Sequence, residues 1–121
     1  MRLSTLGHTW IFDIDGTIVK HNGYKIDGID SLLPGAIDFL SAIPEKDMIV
    51  FLTSRTEEYR EITEDFLRSN NIRYDHIIFE APYGERILVN DDKPGGLKMS
   101  IAINKERDAA IDFSVEEDKD L

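Results

Sequence analysis

The segment TWIFDIDGT (Thr9–Thr17) carries the clearest indication of the fold. Its first four residues, Thr9–Phe12, are β-branched or aromatic, which is typical of a buried strand. Two acidic residues, Asp13 and Asp15, follow at once, and Gly16 lets the backbone turn sharply after them. The stretch therefore predicts a buried strand that ends in an acidic loop.

Further apolar runs predict four more strands. Met48–Leu52 is short, continuous and β-branched, as in a central parallel strand that is buried on both faces. His76–Phe79 and Arg86–Val89 predict a third and a fourth strand. The alternation within Met99–Ile103 favours a fifth strand at an edge, although the same residues also fit a helix.

The segments between these runs predict two helices and a hairpin. Pro34 opens a short helix that Pro44 ends, and a second helix is expected from about Thr56 to Ser69. Asn22-Gly23 predicts a hairpin within Ile18–Ile26. We therefore expect an α/β fold: a three-layer, Rossmann-like sandwich whose mostly parallel sheet has about five strands.

Size and composition limit what else the protein can be. The 121 residues predict one domain over 1–113 without a cap domain, followed by an acidic, flexible tail over 114–121. The chain has no cysteine and no apolar run long enough to span a bilayer, so we expect it in the cytoplasm and not at a membrane. A net charge of -10 makes nucleic acid an unfavourable partner.

Polar clusters follow three of the predicted strands: Asp13–Thr17, Thr53–Arg55 and Asn90–Asp92. Parallel strands share one carboxyl edge, so these clusters are expected to meet there, as ligand sites of such sheets do. At least three carboxylates would then lie close together, which is costly unless a cation lies among them. The clusters therefore predict a Mg²⁺ site with oxygen ligands.

The same residues suit phosphate chemistry. Asp13 can attack phosphorus without a base to activate it, and Asp15 can protonate the leaving oxygen and later deprotonate water. Gly16 can bring backbone N–H groups to phosphate oxygens, and Thr53 offers a hydroxyl. The charge that spreads over the transferred group also requires a cationic side chain.

These residues resemble a known family. Phe12–Thr17 is similar to the first motif of the haloacid dehalogenase-like (HAD) superfamily, Leu52–Arg55 to its second, and Asp91-Asp92 to its fourth. The resemblance spans roughly residues 10–104. It implies that Asp13 is the nucleophile and a metal ligand, and that Asp15 is the acid/base and gives its carbonyl to the metal.

The resemblance also implies roles for the remaining clusters. Asp91 would complete the metal shell with help from Asp92, and Thr53 would bind phosphate. Ser54 either caps the next helix or shares the phosphate, and Arg55 either pairs with Glu58 or contacts substrate. The predicted substrate- and phosphate-binding residues are Gly16, Thr17, Thr53, Ser54, Arg55, Arg86 and Lys93.

The family's third motif, a Lys or Arg, has no clear counterpart. Arg86 is the first candidate, but a straight strand would hold it about 15 Å from Asp91 unless the preceding loop curls back. Lys93 is a second candidate and Arg73 a weaker third.

The predicted function is Mg²⁺-dependent hydrolysis of a phosphomonoester, through an aspartyl-phosphate, on a small sugar phosphate. The second aspartate, Asp15, favours phosphoester hydrolysis over dehalogenation, because the dehalogenases of this superfamily lack that aspartate and need no metal. Residues 89–98 are similar to short bacterial members associated with capsule or surface-polysaccharide biosynthesis. Capless members often shield the site by forming homo-oligomers, or act on larger substrates that cover it themselves, so the resemblance leaves a homo-oligomer open for this chain.

Two alternatives remain at this point. The first is a nucleic-acid-end (polynucleotide) phosphatase, against which the acidic charge counts. The second is a non-catalytic, metal-binding HAD-like domain, which the uncertain third motif favours and the intact first motif disfavours.

Overall fold

The elements of the computed structural model, which describes residues 1–121, alternate between strands and helices over the first two thirds of the chain. In chain order they are β1 (Arg2–Leu3), β2 (Thr9–Phe12), α1 (Gly23–Ile26), α2 (Ala36–Ala42), β3 (Met48–Leu52), a 3-10 turn (Glu57–Tyr59), α3 (Arg60–Ser69), β4 (His76–Ile78) and β5 (Glu116–Glu117).

Three of the predicted strands form a parallel sheet. Its order is β2-β3-β4, with Phe12 opposite Phe51 and Phe51 opposite Ile77. Because all three strands run in the same direction, the residues that follow β2 and β3 lie at one edge of the sheet. That edge carries Asp13 and Thr53.

One face of this sheet packs against both longer helices. Phe12, Ile49 and Phe51 belong to a buried cluster that also holds Leu40 of α2 and Leu67 of α3. Side chains alternate along a strand, so every second residue of β2 and β3 points into this cluster. The observed architecture is therefore a two-layer α/β arrangement.

The opposite face has no covering layer. Ile11, Met48 and Ile78 on that face are exposed, and residues 84–115 contain no helix and no strand. The predicted strands Arg86–Val89 and Met99–Ile103 are wrong for this structure. Since they were to supply the rest of the sheet, the three-layer, five-stranded sandwich does not form, although the α/β class does.

The predicted hairpin is also wrong. Asn22 adopts a left-handed backbone conformation (φ 54°) that starts α1. The N–H groups of Lys25 and Ile26 then donate to the carbonyl of Asn22, so these residues form a helical turn where the prediction placed a strand pair.

The C-terminal residues contact the body of the chain. β5 pairs with β1 in parallel, and the N–H of Ile111 donates to the carbonyl of Pro34. The ring of Phe113 packs edge-on against Phe39, with ring centroids 4.7 Å apart. The domain boundary at residue 113 and the flexibility of the tail remain predictions.

None of the helices combines the length with the apolar character that a membrane crossing requires.

Gly35 allows α2 to lie against the C-terminal segment, and its replacement gives a stability test. It has φ +82°, and a Cβ built there would lie 2.3 Å from the carbonyl oxygen of Ile111. We expect Gly35→Ala to lower the free energy of unfolding by about 1–2 kcal/mol for backbone strain and by a further ~1–3 kcal/mol for the overlap. Urea denaturation measures the sum of the two losses.

Gly28→Ala is the matched control, because Gly28 has φ +76° and a Cβ there would meet nothing within 4 Å. Gly28→Ala should lower the free energy of unfolding by the contribution of backbone strain alone. Equal losses in the two variants would contradict the close approach of Ile111 to Gly35.

The buried carboxylate of Asp47 fixes the start of the sheet and makes stability depend on pH. It accepts from the backbone N–H of His8 and the indole N–H of Trp10, both at 3.0 Å. Burial raises the pKa of Asp47, but these hydrogen bonds outweigh it and leave the pKa below its usual value. The resulting stabilisation is present above a pH of about 3.9, the range of an unfolded Asp, and is lost as the pH falls through the folded pKa.

We therefore expect Asp47→Asn to lower the free energy of unfolding most at neutral pH. The difference from the wild type should shrink as the pH falls below about 4. Urea melts at several pH values measure it, and a difference that stays constant down to pH 2 would contradict the depressed pKa.

Candidate active site

The loop that follows β2 is held by two buried side chains and its own hydrogen bonds. Ile14 and Ile18 are almost fully buried, and the N–H of Ile18 donates to the carbonyl of Ile14 at 2.9 Å. Gly16 has φ +82°, which a residue with a side chain rarely adopts. The loop therefore fixes Asp13 at the carboxyl end of β2.

The Asp13 carboxylate lies between a hydroxyl and a cation. Thr17 Oγ1 donates to Asp13 Oδ2 at 2.9 Å, and Arg86 Nη1 donates to Asp13 Oδ1 at 2.9 Å. The Asp13 side chain remains 37% exposed. It is an oriented, solvent-accessible carboxylate, as a nucleophile must be.

Arg86 reaches this position because the chain after β4 curls back over the sheet edge. Glu80 adopts φ 61°, and its N–H donates to the carbonyl of Arg55. Arg86 Nη2 then lies 3.5 Å from Ser54 Oγ, beside β3. Asp13, Ser54 and Arg86 together form what we call the rim. Ser54 does not cap the next helix, since its hydroxyl donates to the carbonyl of Pro82.

Arg55 is buried next to the rim and pairs with two carboxylates. Its Nε and Nη2 donate to the two oxygens of Asp15 at 3.0 and 2.9 Å, and its Nη1 and Nη2 donate to those of Asp30 at 3.0 and 2.7 Å. Burial lowers the pKa of Arg55, but the two carboxylates raise it more, so the guanidinium stays charged. The predicted pairing with Glu58 is not observed.

Several predicted phosphate ligands are occupied within the protein. Thr53 is 1% exposed and its hydroxyl accepts from the N–H of Arg55, so it presents no surface to a ligand. The N–H of Gly16 donates to the carbonyl of Val19, and that of Thr17 to Ile14. Contrary to the prediction, these groups are not free to bind phosphate in this arrangement.

The predicted metal cluster does not assemble. Asp91, Asp92 and Lys93 lie in the exposed segment without secondary structure, where Asp92 pairs with Lys98 at 2.5 Å. No group of three or more His, Asp or Glu side chains is placed to hold a metal ion. The residues do not fit Mg²⁺ in this arrangement, because the strand that was to carry Asp91 to the sheet edge does not form and arginines pair with Asp13 and Asp15.

Arg73, the third candidate cation, lies at the other end of the sheet. It donates to the backbone carbonyls of Asp47 and Pro44, which precede β3. Since Asp13 lies beyond the carboxyl ends of the strands, Arg73 cannot serve the site.

Sequence reasoning missed three residues that line the buried arginine. Asp30 and Thr63 bind its guanidinium, and the ring of Tyr24 covers it with the Arg55 Cζ atom 3.9 Å from the ring centroid. Burial, and then the nearby charge of Asp15, raise the pKa of Tyr24. No spacing or pattern in the sequence links these residues to Arg55.

Removing Arg55 should destabilise the fold strongly. Its side chain is 1% exposed, and its loss would leave Asp30 as a buried and Asp15 as a partly buried unpaired charge. We expect Arg55→Ala to lower the free energy of unfolding by about 3–5 kcal/mol in urea denaturation. The control, Arg68→Ala, removes an arginine from an exposed pair with Asp65 and should have almost no effect. Equal small effects would contradict the buried network.

Comparison with known proteins identifies a structural relative. No protein-family model matches the chain, and no curated protein matches it. A chain of the structure entitled "Structure of Pnkp1/Rnl/Hen1 complex" is similar, with 28% sequence identity and a TM-score of 0.53. The match covers 69% of this chain but only 31% of that chain, so this protein spans about a third of its relative. The likeness indicates that the matched part of this chain shares its fold with part of that chain.

Proposed function

We propose that the protein is a phosphomonoesterase in which Asp13 attacks phosphorus. The observation that carries the proposal is the rim: an exposed carboxylate that is oriented by Thr17, paired with Arg86, and flanked by Ser54. The phosphatase-related fold of the structural relative supports the same reaction class.

The rim suggests how a phosphate group is received. Arg86 is a cation 2.9 Å from the carboxylate oxygen, on an irregular segment of the chain. A phosphate dianion competes with Asp13 for the guanidinium, which binds phosphate oxygens in a two-pronged manner. When Arg86 transfers to the phosphate, Asp13 is released beside the phosphorus atom, and Ser54 donates to a phosphate oxygen once its hydroxyl proton turns away from the carbonyl of Pro82.

Asp15 supplies the proton transfers in the proposed reaction. Asp13 forms a bond to phosphorus while the bond to the leaving oxygen breaks, and Asp15 gives that oxygen a proton that it has first taken up from solvent. Water then attacks phosphorus, Asp15 takes its proton, and the aspartyl-phosphate bond breaks to release inorganic phosphate. Each carboxylate thus returns to its starting state.

We further propose that the substrate is a phosphorylated nucleic-acid end. The relative belongs to a complex that contains Pnkp1, a polynucleotide kinase-phosphatase, which favours this substrate over the predicted sugar phosphate. The net charge of -10 opposes long-range attraction of nucleic acid. Recognition would therefore depend on the terminal phosphate. The similarity to polysaccharide-associated proteins remains a prediction from the sequence.

The first test is phosphate release by the wild type and by Asp13→Asn. We expect the wild type to hydrolyse p-nitrophenyl phosphate and an oligonucleotide with a terminal phosphate, and Asp13→Asn to lose at least about a thousandfold in kcat, as when a nucleophile is removed. Asp38→Asn, an exposed acid on α2, is the matched control and should retain activity.

Equal turnover by wild type and Asp13→Asn would remove Asp13 as the nucleophile. Activity confined to sugar phosphates, with none on 3′- or 5′-phosphorylated oligonucleotides, would reject the substrate class and keep the reaction. Acid quenching with a ³²P-labelled substrate should leave label on the wild-type chain and none on Asp13→Asn.

The same assay decides the predicted Mg²⁺ requirement. The arrangement described here, with Asp91 exposed and away from Asp13, predicts that Asp91→Asn changes turnover less than about twofold. The metal site predicted from the sequence requires the opposite, namely loss of activity both in Asp91→Asn and in EDTA. Loss in both would mean that residues 84–104 rearrange to bring Asp91 to the rim.

A further inference from the structure

Arg55 uses every hydrogen-bond donor it has within the protein. A guanidinium carries five N–H groups. Two go to Asp15, two go to Asp30, and the fifth, on Nη1, goes to Thr63 Oγ1 at 2.9 Å. No donor is left for a substrate, so the predicted direct contact with phosphate does not occur in this arrangement.

The network opens to solvent at one member. The side chains of Arg55 and Asp30 are 1% and 5% exposed, whereas that of Asp15 is 16% exposed. Tyr24 closes the network on one side, because its ring lies over the guanidinium. Any effect of Arg55 and Asp30 on a bound substrate must therefore pass through Asp15.

The pairing with Arg55 fixes the orientation of the Asp15 carboxylate and leaves a free lone pair on each of its oxygens. Both carboxylate oxygens accept from Arg55, which sets the plane and the rotation of the group. Each oxygen has a second lone pair that can carry a proton. Thr63 is itself held, since its hydroxyl donates to the carbonyl of Tyr59 at 2.7 Å. Asp30 and Thr63 thus fix Arg55, and Arg55 fixes Asp15.

We propose that Arg55, clamped by Asp30 and Thr63, is a positioning residue that aims the Asp15 carboxyl at the leaving oxygen of the substrate. This inference rests on the proposed phosphomonoesterase function and adds a specific division of labour to it. Asp15 transfers the proton, and the three residues behind it determine where that proton is delivered.

The chemistry of the leaving group makes the inference testable. When Asp13 attacks phosphorus, the bond to the ester oxygen breaks, and an alkoxide needs a proton as it departs. A p-nitrophenolate is stable without one. A misaimed Asp15 therefore slows transfer from an alkyl phosphate more than from p-nitrophenyl phosphate. A general loss of folding lowers both rates by the same factor.

The experiment compares kcat/KM for the two esters in the wild type, Asp30→Asn and Asp65→Asn. The parameter kcat/KM reports steps through the first phosphoryl transfer, in which the leaving group departs. We expect Asp30→Asn to lower kcat/KM for a nucleoside 3′-phosphate at least tenfold more than for p-nitrophenyl phosphate. Asp65→Asn removes an exposed acid and should leave both values unchanged.

A second variant guards against misfolding of Asp30→Asn. Thr63→Val keeps the shape of the side chain and removes only the acceptor for Arg55 Nη1 and the donor to Tyr59. It should show a selective loss in the same direction. If circular dichroism shows that Asp30→Asn is unfolded, Thr63→Val decides the result.

Two outcomes would overturn the inference, and they differ from each other. Equal losses on both esters, or no loss, in an active enzyme would reject the positioning role and leave the phosphomonoesterase in place. A wild type that hydrolyses neither ester would reject the proposed function and the inference with it.

Discussion

Neutralisation of the acidic residues after β2 is the constraint on which this site depends. Asp13 and Asp15 follow the same strand, β2, and like charges so close together are unfavourable unless cations compensate them. In this structure the compensation comes from two arginines. Arg86 meets Asp13 at the surface, and Arg55 meets Asp15 in the interior. The two pairs give the carboxylates different surroundings. Asp13 is accessible to a phosphate group, whereas Asp15 is held in a fixed orientation by the buried Arg55.

This division follows from where the two arginines lie in the fold. Arg55 lies three residues after the end of β3, the central strand, and its side chain enters the interior, where it binds Asp30 and Thr63. Arg86 follows β4 on an irregular segment and stays at the surface. A rigid strand end is suited to hold a group in a fixed orientation, whereas an irregular segment can release and rebind a ligand.

The open face of the sheet is the main departure from a complete α/β sandwich. Ile11 and Ile78 are exposed there, and Ile87, Leu88 and Val89 are exposed in the segment that was expected to extend the sheet. A contiguous run of apolar residues that is typical of a buried strand is unusual when it is exposed to solvent in a folded protein. The match with the structural relative also covers only part of both chains: 69% of this chain and 31% of the other.

Elements whose signal is local could be predicted from the amino-acid sequence alone. The apolar runs at Thr9–Phe12, Met48–Leu52 and His76–Phe79 predicted the strands that form, because alternation and β-branching act within a few residues. The sequence also predicted an acidic loop at Asp13 and named Arg86 among three candidate cations. The choice among those cations could not be predicted, because it depends on how the chain after β4 turns back.

The tertiary structure also decided what Arg55 and Thr53 do. Both follow β3 and fit a ligand-binding pattern. Arg55 instead meets Asp30 and Thr63, which come from other parts of the chain, and the Thr53 hydroxyl accepts from the N–H of Arg55. A pattern along the sequence cannot show which distant carboxylate will meet a buried guanidinium. That choice is made by packing and by the cost of leaving a charge unpaired in the interior, which depend on the three-dimensional arrangement of the whole chain.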